Sequence, residues 1–434
     1  MGRWGKFGSG GGPEVVVIGG GAAGFFGAIA CARACPTATV TLLEAKAKFL
    51  TKVLISGGGR CNVTHHCFEP AQLIQNYPRG DRPLRGAFSR FQPQDTVHWF
   101  EAEGVALKTE SDGRIFPTTD NSETIAEALM HAARTAGVYL RSRAPVANVS
   151  PLEPNGFHVT LRNGETITAD VILVGTGSAT AGHRWAEKLG HTVAAPVPSL
   201  FTFNIKDSRL KDLAGIAVDG AIATLVPANH APKKSKKGAQ KNNPLQQIGP
   251  LLITHWGVSG PAVLKLSAWG ARVLHDSDYR GTLRVNWLGG ENLETARSQL
   301  AAWKSENPRQ TIIARPRFTL PKRLWQRLVI AADIAEDCRW ADVSKKQLGQ
   351  LAQELVQGEF AIAGKGVFKD EFVTCGGVNL KEINFKTMES KVRPGLYFAG
   401  EILDIDGVTG GFNFQSAWTT GWIAGGAIAD NNLA

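Results

Sequence analysis

The chain has 434 residues, 43% of them hydrophobic and 20% charged, which fits a globular protein of two or three domains with a sizeable core. No apolar run approaches the ~18 residues of a membrane span, and residues 1–12 are glycine-rich without the apolar centre of a secretory signal. The net charge of +10 is unusual for an enzyme of small neutral metabolites and favours polyanions: nucleic acid, acidic substrates or membrane surfaces.

The first dense signal is Glu14-Val-Val-Val-Ile-Gly-Gly-Gly-Ala-Ala-Gly24. A β-favouring run enters three glycines, and Ala22 to Ala34 then reads as a helix of small residues. Gly19, Gly21 and Gly24 fit G-x-G-x-x-G. In that pattern the first glycine allows the tight turn, the second lets a pyrophosphate approach, and the third packs helix closely on strand. The helix N-terminus then presents N–H groups and partial positive charge to phosphate. A second strand, Ala38 to Leu43, ends in Glu44, an acid placed to hold a ribose diol. Gly19, Gly21, Ala22, Ala23, Gly24 and Glu44 are therefore expected to bind a dinucleotide.

Next comes Phe49-Leu-Thr-Lys-Val-Leu-Ile-Ser-Gly-Gly-Gly-Arg-Cys-Asn62, too glycine-rich for a strand. It predicts a loop whose backbone lies against a flat ligand. Helices are expected over 94–103 and 122–137, the second capped by Asn121 or Ser122. A strand end is expected at 113–117, then short strands at 138–143, 146–149, 156–161 and 165–168. Ala169-Asp-Val-Ile-Leu-Val-Gly-Thr-Gly-Ser178 repeats the opening theme and predicts a second close backbone approach at Gly175, Thr176 and Gly177.

From Pro196 the texture changes to short alternating runs at 201–205, 216–226, 251–254 and 282–287, which predict antiparallel strands of a barrel or sheet. Residues 232–244 carry five lysines, Lys233, Lys234, Lys236, Lys237 and Lys241, with no apolar anchor. Residues 292–357 have helical spacing. Near the end, Gly395-Leu-Tyr-Phe-Ala-Gly-Glu401 reads as a buried strand, and Gly410-Gly-Phe-Asn-Phe-Gln415 opens a helix of small and apolar residues. A helix N-terminus there suits the carbonyl edge of an electron-accepting ring. The six cysteines, at 31, 35, 61, 67, 338 and 375, show no metal spacing, so no metal site and a reducing cytoplasm are expected.

The strand-glycine signals at the two ends resemble the halves of FAD-binding Rossmann enzymes of the glutathione-reductase type. Ser56-Gly-Gly-Gly-Arg-Cys-Asn-Val-Thr64, Thr254-His-Trp-Gly-Val-Ser-Gly-Pro261, Val373-Thr-Cys-Gly-Gly-Val378, Thr387-Met-Glu-Ser390 and the Gly400-Glu…Gly-Gly-Phe-Asn-Phe-Gln415 segment resemble the hallmarks of the BaiN/RdsA flavoprotein family, which also contains aminoacetone oxidase. One departure is His65 after Thr64, where the family usually has Asn; the lysine-rich segment is also longer than the family minimum.

The resemblance implies an α/β fold: an FAD-binding Rossmann-like domain from 1–195 and 367–434, with 196–366 inserted. The insert would be a β-barrel, about 196–290 and 357–366, plus a helical part, about 291–356. FAD would then also meet Ser56, Gly57, Gly58, Gly59, Arg60, Cys61 and Asn62 beside the flavin, and Ala147 at the adenine by analogy with related folds. Gly175, Thr176, Gly177, Gly400, Glu401, Gly411, Phe412, Asn413 and Phe414 complete the cradle. His255, Cys375 and Arg60 are the catalytic candidates, and NAD(P)H is the expected electron donor. The leading activity is reduction of an unsaturated substrate, uridine in ribosomal RNA, with the five lysines as RNA contacts. A small-amine oxidase using oxygen and a flavin-containing RNA-binding factor are the alternatives.

Overall fold

Val15, Val16 and Val17 are at most 2% exposed, and their strand, β1 (Glu14–Ile18), lies within a seven-stranded sheet. The structure is a computed structural model that describes residues 12–228, 245–366 and 373–433. Helix α1 (Ala22–Ala34) leads from β1 to β2 (Thr39–Leu43). With β3 (Tyr139–Arg141), β4 (Val171–Val174) and β5 (Leu396–Phe398), these strands form the parallel order β5-β4-β1-β2-β3. Two short antiparallel strands, Ile383–Asn384 and Glu389–Ser390, extend the β5 edge. Unbroken apolar strands such as β4 are what a parallel sheet covered on both faces requires.

Ala23 to Ile29 of α1 are all buried, so this helix belongs to the core and has no polar face. It packs on α2 (Phe412–Leu433). A Cβ on Gly425 would stand 2.2 Å from Gly27 O, and one on Gly421 2.5 Å from Ala23 O. The helices meet backbone to backbone there, and any side chain would part them.

The chain divides into two compact units, residues 1–196 with 372–434 and residues 197–371. In the first unit the expected helices run Pro93–Ala102 and Ser122–Thr135, the latter capped by Asn121, whose side chain accepts from Glu123 N at 2.9 Å. Strands Val146–Pro151, Phe157–Leu161 and Thr166–Ala169 form an antiparallel meander. The second unit holds a closed barrel of six strands in the order Phe203–Asn204, Gly257–Ser259, Gln246–Thr254, Ala217–Pro227, Arg280–Asn286 and Gly358–Lys365. Helices Pro261–Trp269 and Ala271–Asp276 interrupt it and are additional to the expected strands. Helices Leu293–Glu306, Lys322–Ala331 and Lys345–Gln357 share one core with the barrel, centred on Trp287, Trp325, Trp340 and Phe360. Among the described residues no helix is long and apolar enough to cross a membrane.

Two buried imidazoles in the first unit set an acid limit. His183 is 5% and His191 4% exposed, and burial lowers both below the ordinary value of 6.5. Below that pH the unfolded chain binds protons that the folded chain refuses, so stability is full above it and lost as pH falls. The melting temperature should be flat near pH 7 and decline from about pH 6.5 downward. His183→Phe should flatten that decline in a thermal-shift series; an unchanged slope would remove His183 from the account.

Candidate active site and cofactor cradle

Gly19 has φ +116°, and a Cβ there would lie 2.4 Å from Gly175 O. A Cβ on Gly24 would lie 1.9 Å from Gly19 O. Gly21 differs: its φ is −99°, an ordinary value, and nothing stands within 4 Å of its missing Cβ. The turn therefore closes on itself at Gly19 and Gly24 and leaves room at Gly21. No side chain caps α1 there, so its first N–H groups can meet a phosphate.

Glu44 follows β2. Its carboxylate accepts from Gly20 N at 2.9 Å through Oε2 and from Lys46 N at 2.8 Å through Oε1. Each oxygen keeps capacity for another donor, as a ribose diol requires. Ala144 N donates to Glu44 O at 2.9 Å, so the strand holding Ala147 starts beside this acid. Ala147 sits where the ladder shifts register between Val146 and Asn148, and its carbonyl accepts from Trp185 Nε1 at 3.4 Å.

The glycine loop is held from behind. Ser122 N donates to Gly59 O at 2.8 Å and Ser122 Oγ to Leu54 O at 2.7 Å. Nothing stands within 4 Å of a Cβ on Gly58 or Gly59, so that face of the loop is open. Cys61 is wholly buried, and burial pushes its thiol up to about 12, which makes it a packing residue and not a thiolate. Arg60 lies 4.0 Å over the Phe116 ring and pairs with Glu110 at 2.7 Å and Asp120 at 3.4 Å. Its guanidinium anchors the loop to the neighbouring strand. The Asn62 amide, oriented to satisfy both neighbours, donates to Thr64 O and accepts from Gly411 N, each at 3.0 Å.

Beyond β4, Thr176 Oγ1 is buried with no hydrogen-bond partner. Beyond β5, Glu401 Oε1 accepts from Thr374 N at 2.8 Å, and Oε2 accepts from Lys52 Nζ at 2.6 Å. Lys52 also donates to Ser178 Oγ at 3.2 Å, tying three cradle segments together. Lys52 is not among the residues expected from sequence; one partner is 126 and the other 349 positions away.

At the start of α2, the side chains of the expected residues serve the protein. Asn413 pins the approach loop by accepting from Gly407 N at 2.8 Å and donating to Gly407 O at 2.9 Å. Phe412 stacks on His65 with centroids 4.8 Å apart, and Tyr77 OH donates to Phe412 O at 2.6 Å. Phe414 stacks on Trp418 at 5.5 Å. What remains for a ligand at this helix end is backbone N–H. Gln415 joins Thr64, Thr96 and Thr419 in a buried network: both Thr64 Oγ1, at 2.6 Å, and Thr96 Oγ1, at 2.9 Å, donate to its Oε1. Asp406, wholly buried, takes a two-pronged ion pair from Arg79. Burial opposes the Arg79 charge, but Asp406 outweighs it and holds the guanidinium above its ordinary value.

The structure thus gathers the Gly19–Gly24 turn, Glu44, the Ser56–Asn62 loop, Gly175–Gly177, Gly400–Glu401 and the start of α2 at the C-terminal end of the parallel strands, where open α/β sheets bind ligands. Cys375 is wholly buried on strand Val373–Val378, directly after Thr374. His255 lies in the second unit, exposed at the tip of a hairpin. Lys233, Lys234, Lys236, Lys237 and Lys241 fall outside the described residues.

An open phosphate turn, a ribose acid with spare capacity, an unpartnered Thr176 hydroxyl and an open glycine face fit FAD. The class that fold and site define is that of the FAD-dependent oxidoreductases with a Rossmann-type domain. A family model described as "HI0933-like protein Rossmann domain" matches residues 13–427, and the chain belongs to that family. It is 30% identical to a ribosomal RNA dihydrouridine synthase of Escherichia coli, over 94% of this chain and 96% of the relative. It is 28% identical to a 3-dehydro-bile acid delta(4,6)-reductase of Clostridium scindens, over 96% of this chain and 99% of the relative. Among solved structures, the open conformation of a flavocytochrome c3 fumarate reductase is similar with a TM-score of 0.49 and 16% identity, covering 98% of this chain and 80% of that one.

Proposed function

We propose that the protein reduces a carbon–carbon double bond conjugated to a carbonyl, with uridine in ribosomal RNA as the substrate and NAD(P)H as the electron donor. The carrying observation is full-length similarity at 30% identity to a ribosomal RNA dihydrouridine synthase. The relative named for a bile acid shares the chemistry: its name joins a 3-oxo group to ring double bonds. Reduction of such a conjugated pair takes a hydride at the far carbon and a proton at the near one. Bound flavin supplies the hydride.

The chain's own groups do the rest. The α1 turn would take the diphosphate and Glu44 the ribose. The Ser56–Asn62 loop and the N-terminus of α2 would flank the ring, the helix end stabilising charge that gathers at the ring carbonyl. Two side chains can hold the proton: the buried Cys375 thiol beside the Glu401-bound segment, and His255 on its hairpin. The +10 net charge, including the five lysines between 233 and 241, would supply phosphate contacts with RNA.

The test is anaerobic. The purified yellow protein should bleach with NADH or NADPH and recolour on adding unmodified ribosomal RNA, with dihydrouridine in the digest. Bleaching by a small primary amine instead of NAD(P)H, recolouring with oxygen, and no dihydrouridine formed would turn the assignment to the small-amine oxidase. Cys375→Ala and His255→Ala should both keep FAD and bleach normally. Whichever holds the proton should slow product formation by about a hundredfold or more; normal turnover clears a residue of that role.

A further inference from the structure

Trp256 is 73% exposed, far more than a large aromatic side chain usually is. It stands at the tip of a hairpin whose strands, Gln246–Thr254 and Gly257–Ser259, pair as far as Thr254↔Gly257. His255 and Trp256 are therefore the two residues of a tight turn. The tip is firmly held. Trp256 O accepts from Ile205 N at 2.9 Å, and Trp256 N donates to Thr254 Oγ1 at 3.4 Å. A Cβ on Gly257 would stand 2.2 Å from Phe203 O, so the hairpin lies directly on the neighbouring strand Phe203–Asn204.

That contact also fixes the company Trp256 keeps. The register Phe203↔Val258 and Asn204↔Gly257 is followed by the Ile205 N to Trp256 O bond, so Lys206 is the next residue along the chain from the tip's anchor. Lys206 and His255 are both exposed. Asp207, the next residue, forms its ion pair with Arg209, at 2.9 and 2.7 Å, and none with Lys206. A rigid flat aromatic, an imidazole and an ammonium thus share one tip.

We propose that this tip docks a single unpaired nucleotide of RNA, its base stacked on the Trp256 indole and its phosphate beside Lys206. The inference rests on the RNA reading of the function. Every base offers a π face, so a stacking platform accepts RNA without reading sequence, and a nearby cation fixes the backbone. Bases inside a duplex are already stacked, so the platform selects unpaired nucleotides. A chain carrying +10 also draws RNA toward it.

The experiment uses the FAD-loaded full chain, a short uridine-containing single-stranded RNA oligonucleotide and the duplex made from it, with affinity measured across a salt series. Trp256→Ala should weaken single-strand binding by about tenfold or more while leaving the salt slope unchanged. Trp256→Phe should restore most of the affinity. Lys206→Ser should lower the salt slope by about 0.7, one phosphate contact on a single strand. FAD content and the thermal unfolding transition of the barrel unit should both stay at the parent level in all three, which excludes misfolding. Parental single-strand affinity in Trp256→Ala, or an equal loss on the duplex, overturns the platform while leaving the RNA substrate standing. Absence of RNA binding by the parent at low salt overturns both, and points to a protein partner or none at this tip.

Discussion

Gly21→Val should give a protein that is folded and colourless. The backbone at position 21 has φ −99°, which valine adopts without strain, and the space around its Cβ is empty of protein. The new methyl groups would stand where a diphosphate approaches the first turn of α1. They clash with the cofactor and with nothing else. FAD retention after purification should drop from near stoichiometric to near zero, and added FAD should bind at least about a hundredfold more weakly, the cost of displacing a phosphate from its N–H donors. Gly24→Val is the contrast. Its Cβ would lie 1.9 Å from Gly19 O, so that variant should fail to fold. The flavin absorbance band and the apo melting temperature check both. A yellow, fully loaded Gly21→Val protein would move the diphosphate to another part of the molecule.

Arg79→Met should be among the most destabilising single changes in the first unit. It strands the Asp406 carboxylate, which has no exposure, without its two-pronged partner. Removing one member of a buried ion pair costs about 3–5 kcal/mol, because the remaining charge stays desolvated. The effect should reach the site. Asp406 lies on the approach to α2, where Val408 N donates to Asn76 O at 2.8 Å and Tyr77 OH donates to Phe412 O at 2.6 Å. A strap of residues 76–79 therefore holds the loop that leads into α2. Arg79→Met should lower the denaturation midpoint and weaken FAD together. The double variant Arg79→Met/Asp406→Leu should recover much of the stability, since an apolar pair leaves no buried charge. If the single variant melts within a degree or so of the parent, the pair is not structural.

The glycine turns were open to reading because their physics is local. Gly19, Gly21 and Gly24 stand within six residues, and the strand before them and the acid after them lie within the same βαβ unit. The break near residue 196 is likewise visible as a change from helical to alternating periodicity. What the pattern does not carry is any partner far along the chain. Lys52 meets Glu401 across 349 residues, Arg79 meets Asp406 across 327, and Thr64 meets Gln415 across 351. Each looks like an ordinary polar residue until the fold brings its partner. Arg60 shows the opposite limit. Its place after three glycines suggests chemistry, yet its guanidinium is engaged by Glu110, Asp120 and the Phe116 ring.

The backbone contact of α1 with α2 has a consequence for synthesis. α1 leaves the ribosome before residues 197–371, but Gly421 and Gly425, against which it rests, come after all of them. While residues 197–371 are being made α1 carries an uncovered apolar flank, and β4 lacks its neighbour β5. The barrel unit can close first, since all its strands lie between residues 203 and 365. The dinucleotide unit waits for β5 and α2, so the cofactor is captured only after both have been made. The waiting chain is the form most exposed to aggregation and most in need of a chaperone.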